Sequence, residues 1–170
     1  MRTFENEKQF RKAVMNALKS RGFTSIPSGT GSSIDEYIIH INNPFQIISL
    51  IDFKYQASRN DGNNEPVNLR PDQVKSLSSI WREKFLFVIH TSDDKFMIIN
   101  HKGILPLISD YKSKTEKYRT GNSINLSDTR INSDMAKVAI NEKNIMKFEK
   151  FGQMIESLVS IFHNFINPHR

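Results

Sequence analysis

The chain has 170 residues, 38% hydrophobic and 25% charged, which suits one globular domain with a genuine core and excludes a disordered segment. Its formal charge of +6 is compatible with a polyanionic partner without identifying one. Cysteine is absent, so there is neither a disulfide framework nor a thiolate zinc site.

No apolar run approaches the ~20 residues of a membrane span. The opening MRTFENEKQFRKAVMNALKS lacks the continuous apolar block of a signal peptide. A soluble, intracellular (cytoplasmic) protein is expected, without membrane association.

Residues 4–21 are predicted to form a helix, because Phe10, Val14, Ala17 and Leu18 recur at three-and-four spacing and Gly22 follows as a stop. TSIPSGTGSS (24–33) reads as a loop. IDEYIIHI (34–41) and Gln46–Lys54 read as strands about an Asn42-Asn43-Pro44 turn, hence a hairpin. After a polar loop at 57–68, Arg70–Trp81 is a predicted helix, with Pro71 in its first turn and Val74, Leu77 and Ile80 on one face. KFLFVIHT (84–91) and KFMIIN (95–100) are further strands joined by a tight Ser-Asp-Asp turn.

Residues 113–133 are polar and aperiodic, which predicts a surface loop. From about 143 to 166, Phe148, Phe151, Ile155, Leu158, Phe162 and Phe165 follow heptad spacing, widened by Met154 and Ile161. That stripe suits packing on a sheet; a dimer seam is the alternative. The sum is a single α/β domain over 1–170, ordered α-β-β-α-β-β-α around a central mixed sheet flanked by helices. SGTGSS has neither the glycine spacing nor the lysine of a phosphate cradle.

Within QIISLIDFKYQ (46–56), strand alternation gives Ile48, Leu50, Asp52 and Lys54 one face and Ile47, Ser49, Ile51 and Phe53 the other. Two charges then end an apolar row, where each needs a partner. Acid-x-Lys triplets also occur at Asp93–Lys95 and Asp110–Lys112, but in a turn and beyond a helix end, where charges meet water. An antiparallel hairpin brings Asp35 toward Asp52 and Lys54. Two nearby carboxylates repel, and a hard divalent cation such as Mg²⁺ relieves this, with the Phe53 carbonyl as a further oxygen donor. Glu7 stands at offsets 3, 7 and 11 from Phe10, Val14 and Leu18, so it falls on the apolar face of the first helix, either snorkelling or aimed at the sheet edge.

The pattern E-x2-F-x3-V-x3-L-x3-GF, then I-D, then D-x-K at the end of the next strand, resembles the PD-(D/E)xK nuclease superfamily. Within it, the Holliday-junction resolvases of archaeal and RecU type are the nearest likeness. NLRPDQVKSLSSIWREKFLFVIH (68–90) adds to it, with Gln73 where those nucleases carry a glutamine on the following helix. The resemblance spans about residues 5–100 and implies a restriction-endonuclease-like core acting on DNA with Mg²⁺, or Mn²⁺ as substitute. It implies Asp35 and Asp52 as metal ligands, Lys54 activating water, Glu7 supporting metal or water, and Gln73 bracing the site. Asp52 stands where glutamate is commoner, and Ile34 replaces the usual proline. Glu36 becomes the ligand instead of Asp35 if the register shifts by one.

Lys12, Lys19, Arg59, Arg70 and Lys75 could hold flanking phosphates, or simply form a solvated surface. The 57–68 loop is either a substrate-contacting element or an ordinary connector. His40, His90, His101, His163 and His169 show no ligand spacing, and no G-x-S-x-G occurs. Junction resolution, for which a two-fold homodimer is expected, competes with a restriction-type or repair nuclease and with a non-catalytic DNA-binding module.

Overall fold

The computed structural model describes residues 3–27, 34–56, 68–69, 82–103, 124–125 and 144–168. The predicted helix Arg70–Trp81, the 57–67 part of the polar loop and most of 113–133 lie outside the described residues.

Helix α1 runs Glu7–Lys19, shorter than predicted at both ends. Asn6 caps it, its side chain accepting from the Gln9 N–H at 2.9 Å. The Gln9 side chain reaches back, accepting from the Glu5 N–H at 3.1 Å and donating to the Glu5 carboxylate at 3.2 Å. This reciprocal capping fixes where the helix begins. At the other end Gly22 takes φ +85°, a left-handed conformation that favours glycine. Phe10, Val14 and Leu18 are fully buried, each stabilising the fold by roughly 1.5–3 kcal/mol relative to exposure.

The predicted loop at 24–33 is corrected at its start: Phe23–Pro27 is a strand, β1. It pairs antiparallel with β2 (Glu36–His40), from Phe23↔His40 to Pro27↔Glu36. Phe23 anchors it, with its ring 5.1 Å from that of Phe162. Strand β3 (Asn43–Tyr55) returns antiparallel to β2, as the hairpin reading expects. The turn itself is Ile41–Asn42, so Asn43 and Pro44 already belong to β3. A bulge interrupts the ladder: Ile38 faces Ser49 and Ile39 faces Ile47, leaving Ile48 between them. Ile48 therefore joins the core with Ile51 and Phe53, not the Leu50–Asp52 face that simple alternation gives it.

β3 then pairs parallel with β5 (Phe85–His90), which a 3-10 turn at Arg82–Lys84 introduces. β6 (Phe96–Asn100) returns antiparallel from β5. The predicted C-terminal helix divides. Ile145–Phe148 is an edge strand, β8, antiparallel to β6, and helix α2 begins only at Phe151 and ends at Ile166. Met146 and Phe148 pack toward the core while Lys147 between them is exposed, an alternation with the period of a strand. Phe148 is thus not part of the helical stripe.

Two-residue strands β4 (Asn68–Leu69) and β7 (Ile124–Asn125) pair with each other, at positions expected to be loop. The main sheet is six-stranded, ordered β1-β2-β3-β5-β6-β8. This is an α/β architecture with a mixed open sheet and flanking helices. α1 and α2 bury their apolar faces in a core with Ile38, Ile51, Phe53, Val88, Phe96 and Ile98. Among the described residues no helix is long and apolar enough to cross a membrane.

Candidate active site at the end of β3

β3 outlasts its hairpin partner. The last β2–β3 pair is Glu36↔Ile51, so residues 52–55 keep only β5 as a strand neighbour. Asp35 closes the gap: its N–H donates to the Ile51 carbonyl at 3.1 Å, and its Oδ2 accepts from the Phe53 N–H at 2.7 Å. Asp35 thus shares Ile51 with Glu36, and it lies near enough for its charge to act on Asp52.

Asp52 is 3% exposed. Lys54 Nζ lies 2.8 Å from its Oδ2, as two residues on one face of a strand allow. Burial pushes the Asp52 carboxyl up to about 7; Lys54 opposes the rise, and the negative charges of Asp35 and Glu7 add to it. Glu7 itself is exposed at the first position of α1, not on the buried stripe that its spacing suggests. The buried stripe begins one turn later, at Phe10. Glu7 is nonetheless near enough for its charge to act on Asp52.

Arg11, which the sequence reading did not single out, binds the other side of the cluster. Its Nη1 is 3.2 Å from Asp35 Oδ1, its Nη2 donates to the Asp35 carbonyl at 3.0 Å, and its Nε donates to Glu36 Oε1 at 2.9 Å. Glu36 is buried on the α1 side, with Oε2 lacking a hydrogen-bond partner. Facing Ile51 in the ladder, it projects to the face opposite Asp52. Arg11 carried no signal in the sequence, where it reads as one more cation on the polar side of an amphipathic helix.

The N-terminal segment is tied down beside this edge. Tyr55 Oη donates to the Phe4 carbonyl at 3.0 Å, and the Thr3 N–H and hydroxyl donate to the Asp94 carboxylate at 2.9 and 2.8 Å. Asp94 also lies 2.7 Å from His90 Nε2. The fully buried His90 stacks on Tyr55. His90 thus belongs to the packing that fixes the start of α1, and with it Glu7.

Asp35, Asp52 and the Phe53 carbonyl are hard oxygen donors, a set that fits Mg²⁺, which takes one or two carboxylates and completes its shell with water and phosphate oxygens. Among the described residues no three His, Cys, Asp or Glu side chains stand close enough to form an all-protein cage. Lys12 and Lys19 are exposed on α1. Gln73, Arg59, Arg70 and Lys75 lie outside the described residues. No family model, curated protein or solved structure matches the chain.

Proposed function

We propose that the protein is a Mg²⁺-dependent DNA endonuclease of PD-(D/E)xK type, built on a restriction-endonuclease-like core, with branched DNA as its preferred substrate and a two-fold homodimer as its working form. The observation that carries this reading is the convergence at one sheet margin of Glu7 from α1, Asp35 from the turn into β2, and Asp52 and Lys54 from β3. Arg11 pairs with Asp35 and Glu36, and Lys54 pairs with Asp52.

A bound Mg²⁺ or Mn²⁺ would polarise the scissile phosphate and acidify a water molecule. Asp35, Asp52 and the Phe53 carbonyl would hold it, with Asp35 braced by the Phe53 N–H. The Lys54 ammonium places positive charge where negative charge develops on the phosphoryl oxygens. Glu7, solvent-facing at the helix end, is placed to orient water or support the cation. The overall charge of +6 favours a polyanionic substrate.

Labelled four-way junctions and linear duplexes, incubated side by side with Mg²⁺ and with Mn²⁺, test the reading. Metal-dependent, symmetric nicking of junctions is the expected result. Sequence-specific cuts in linear DNA would move the protein to the restriction-type class. No cleavage of either substrate would favour a second reading, a non-catalytic DNA-binding module. The ion pairs that already compensate Asp35 and Asp52 support that alternative.

A further inference from the structure

Building on that reading, we infer that Arg11 is a positioning residue that sets the orientation of Asp35 for cation binding. Its planar guanidinium makes three different contacts at once: the Asp35 carboxylate, the Asp35 backbone carbonyl and the buried Glu36 carboxylate. A fork of this shape fixes direction as well as charge, which a lysine ammonium cannot do. Asp35 has no β2 ladder of its own, because the β2–β3 pairing ends at Glu36. Its N–H and its carboxylate each bond the β3 backbone, and Arg11 holds both its carboxylate and its carbonyl.

Glu36 serves as the counter-anchor. It is 6% exposed, and its Oε1 receives the Arg11 Nε. The buried glutamate holds the guanidinium against the strand, and the guanidinium holds Asp35, whose Oδ2 accepts from the Phe53 N–H. Residues that orient a metal ligand in this way change metal affinity by about 10- to 100-fold when replaced.

The test uses two variants of the full chain. Arg11→Lys keeps the charge and removes the fork. Arg11→Met combined with Glu36→Gln removes one charge of each sign, leaving the net charge of the site unchanged. The glutamate of this pair is buried and its arginine half-buried, and exchanging buried ionic groups for uncharged side chains of similar volume is often neutral or stabilising, so the double variant separates positioning from folding. Mn²⁺ affinity is measured by the loss of the free-ion paramagnetic resonance signal, and thermal unfolding is followed by circular dichroism.

Both variants are expected to bind Mn²⁺ about 10- to 100-fold more weakly, with the double variant melting no lower than the wild type. Wild-type Mn²⁺ affinity in either folded variant would overturn the role of Arg11 and leave the nuclease reading intact. Failure of the wild type itself to bind Mn²⁺ would remove both.

Discussion

At pH 8, Asp52→Asn is expected to fold more stably than the wild type while losing metal-dependent cleavage. The sign follows from linkage. In the unfolded chain Asp52 ionises near the ordinary value of 3.8, whereas in the folded protein burial holds its proton to about 7. Between those values the unfolded state has released a proton that the folded state keeps, so stability falls as pH rises from about 4 to 7. Above 7 the folded protein carries a desolvated carboxylate, at a cost on the order of 4 kcal/mol for a displacement of this size. Asparagine has no such charge. Urea denaturation at pH 5 and pH 8 should show the gap between variant and wild type widening in the variant's favour by about 3 kcal/mol. A constant gap would mean that Asp52 titrates normally. Loss of activity with gain of stability is the behaviour of a group kept for chemistry at the expense of the fold.

Lys54→Met is expected to reduce the cleavage rate at pH 7 by about 10²- to 10³-fold, the usual effect of removing a charge-stabilising donor. It should also move the acidic limb of the pH–rate profile upward. Lys54 is the partner that lowers the Asp52 pKa against burial and against the charges of Asp35 and Glu7. Without its ammonium at 2.8 Å, Asp52 keeps its proton to a higher pH, and a protonated carboxyl is a poor cation ligand. A lower rate with an unmoved acidic limb would show that Lys54 acts only on substrate. An unchanged rate would remove Lys54 from the chemistry altogether.

The hairpin that creates the site was legible because both strands announce themselves. IDEYIIHI and QIISLIDFK are apolar runs about an Asn-Asn-Pro break, and their antiparallel pairing brings the start of β2 to the end of β3, where Asp35 bonds to Ile51 and Phe53. The Asp52–Lys54 pair was legible because charge at the end of a buried row needs a partner. Elsewhere tertiary contacts overrode local pattern. β1 follows a helix stop and merges into a Gly/Ser run, so its strand character comes from pairing with β2 and from Phe23 against Phe162. β8 carries Phe148, which also satisfies the heptad, and only its place beside β6 decides between periods.

The bulge at Ile48 inserts one residue and reverses its facing, and a second irregularity follows between Ile39 and His40. Glu7 fits the apolar period by arithmetic but sits one turn outside the packed stripe. Arg11 was invisible for a different reason. Its role depends on two consecutive acids, Asp35 and Glu36, that are gripped together from one helix.

Mn²⁺ binding to wild type and to Asp52→Asn, titrated at pH 8 under identical conditions, tests the central claim most directly. Saturable binding by the wild type, weakened by a factor of ten or more in the variant (about 1.4 kcal/mol or more), is the result predicted. An absence of saturable binding by the wild type, or the same affinity in both proteins, would contradict the claim that Asp35 and Asp52 hold a divalent cation.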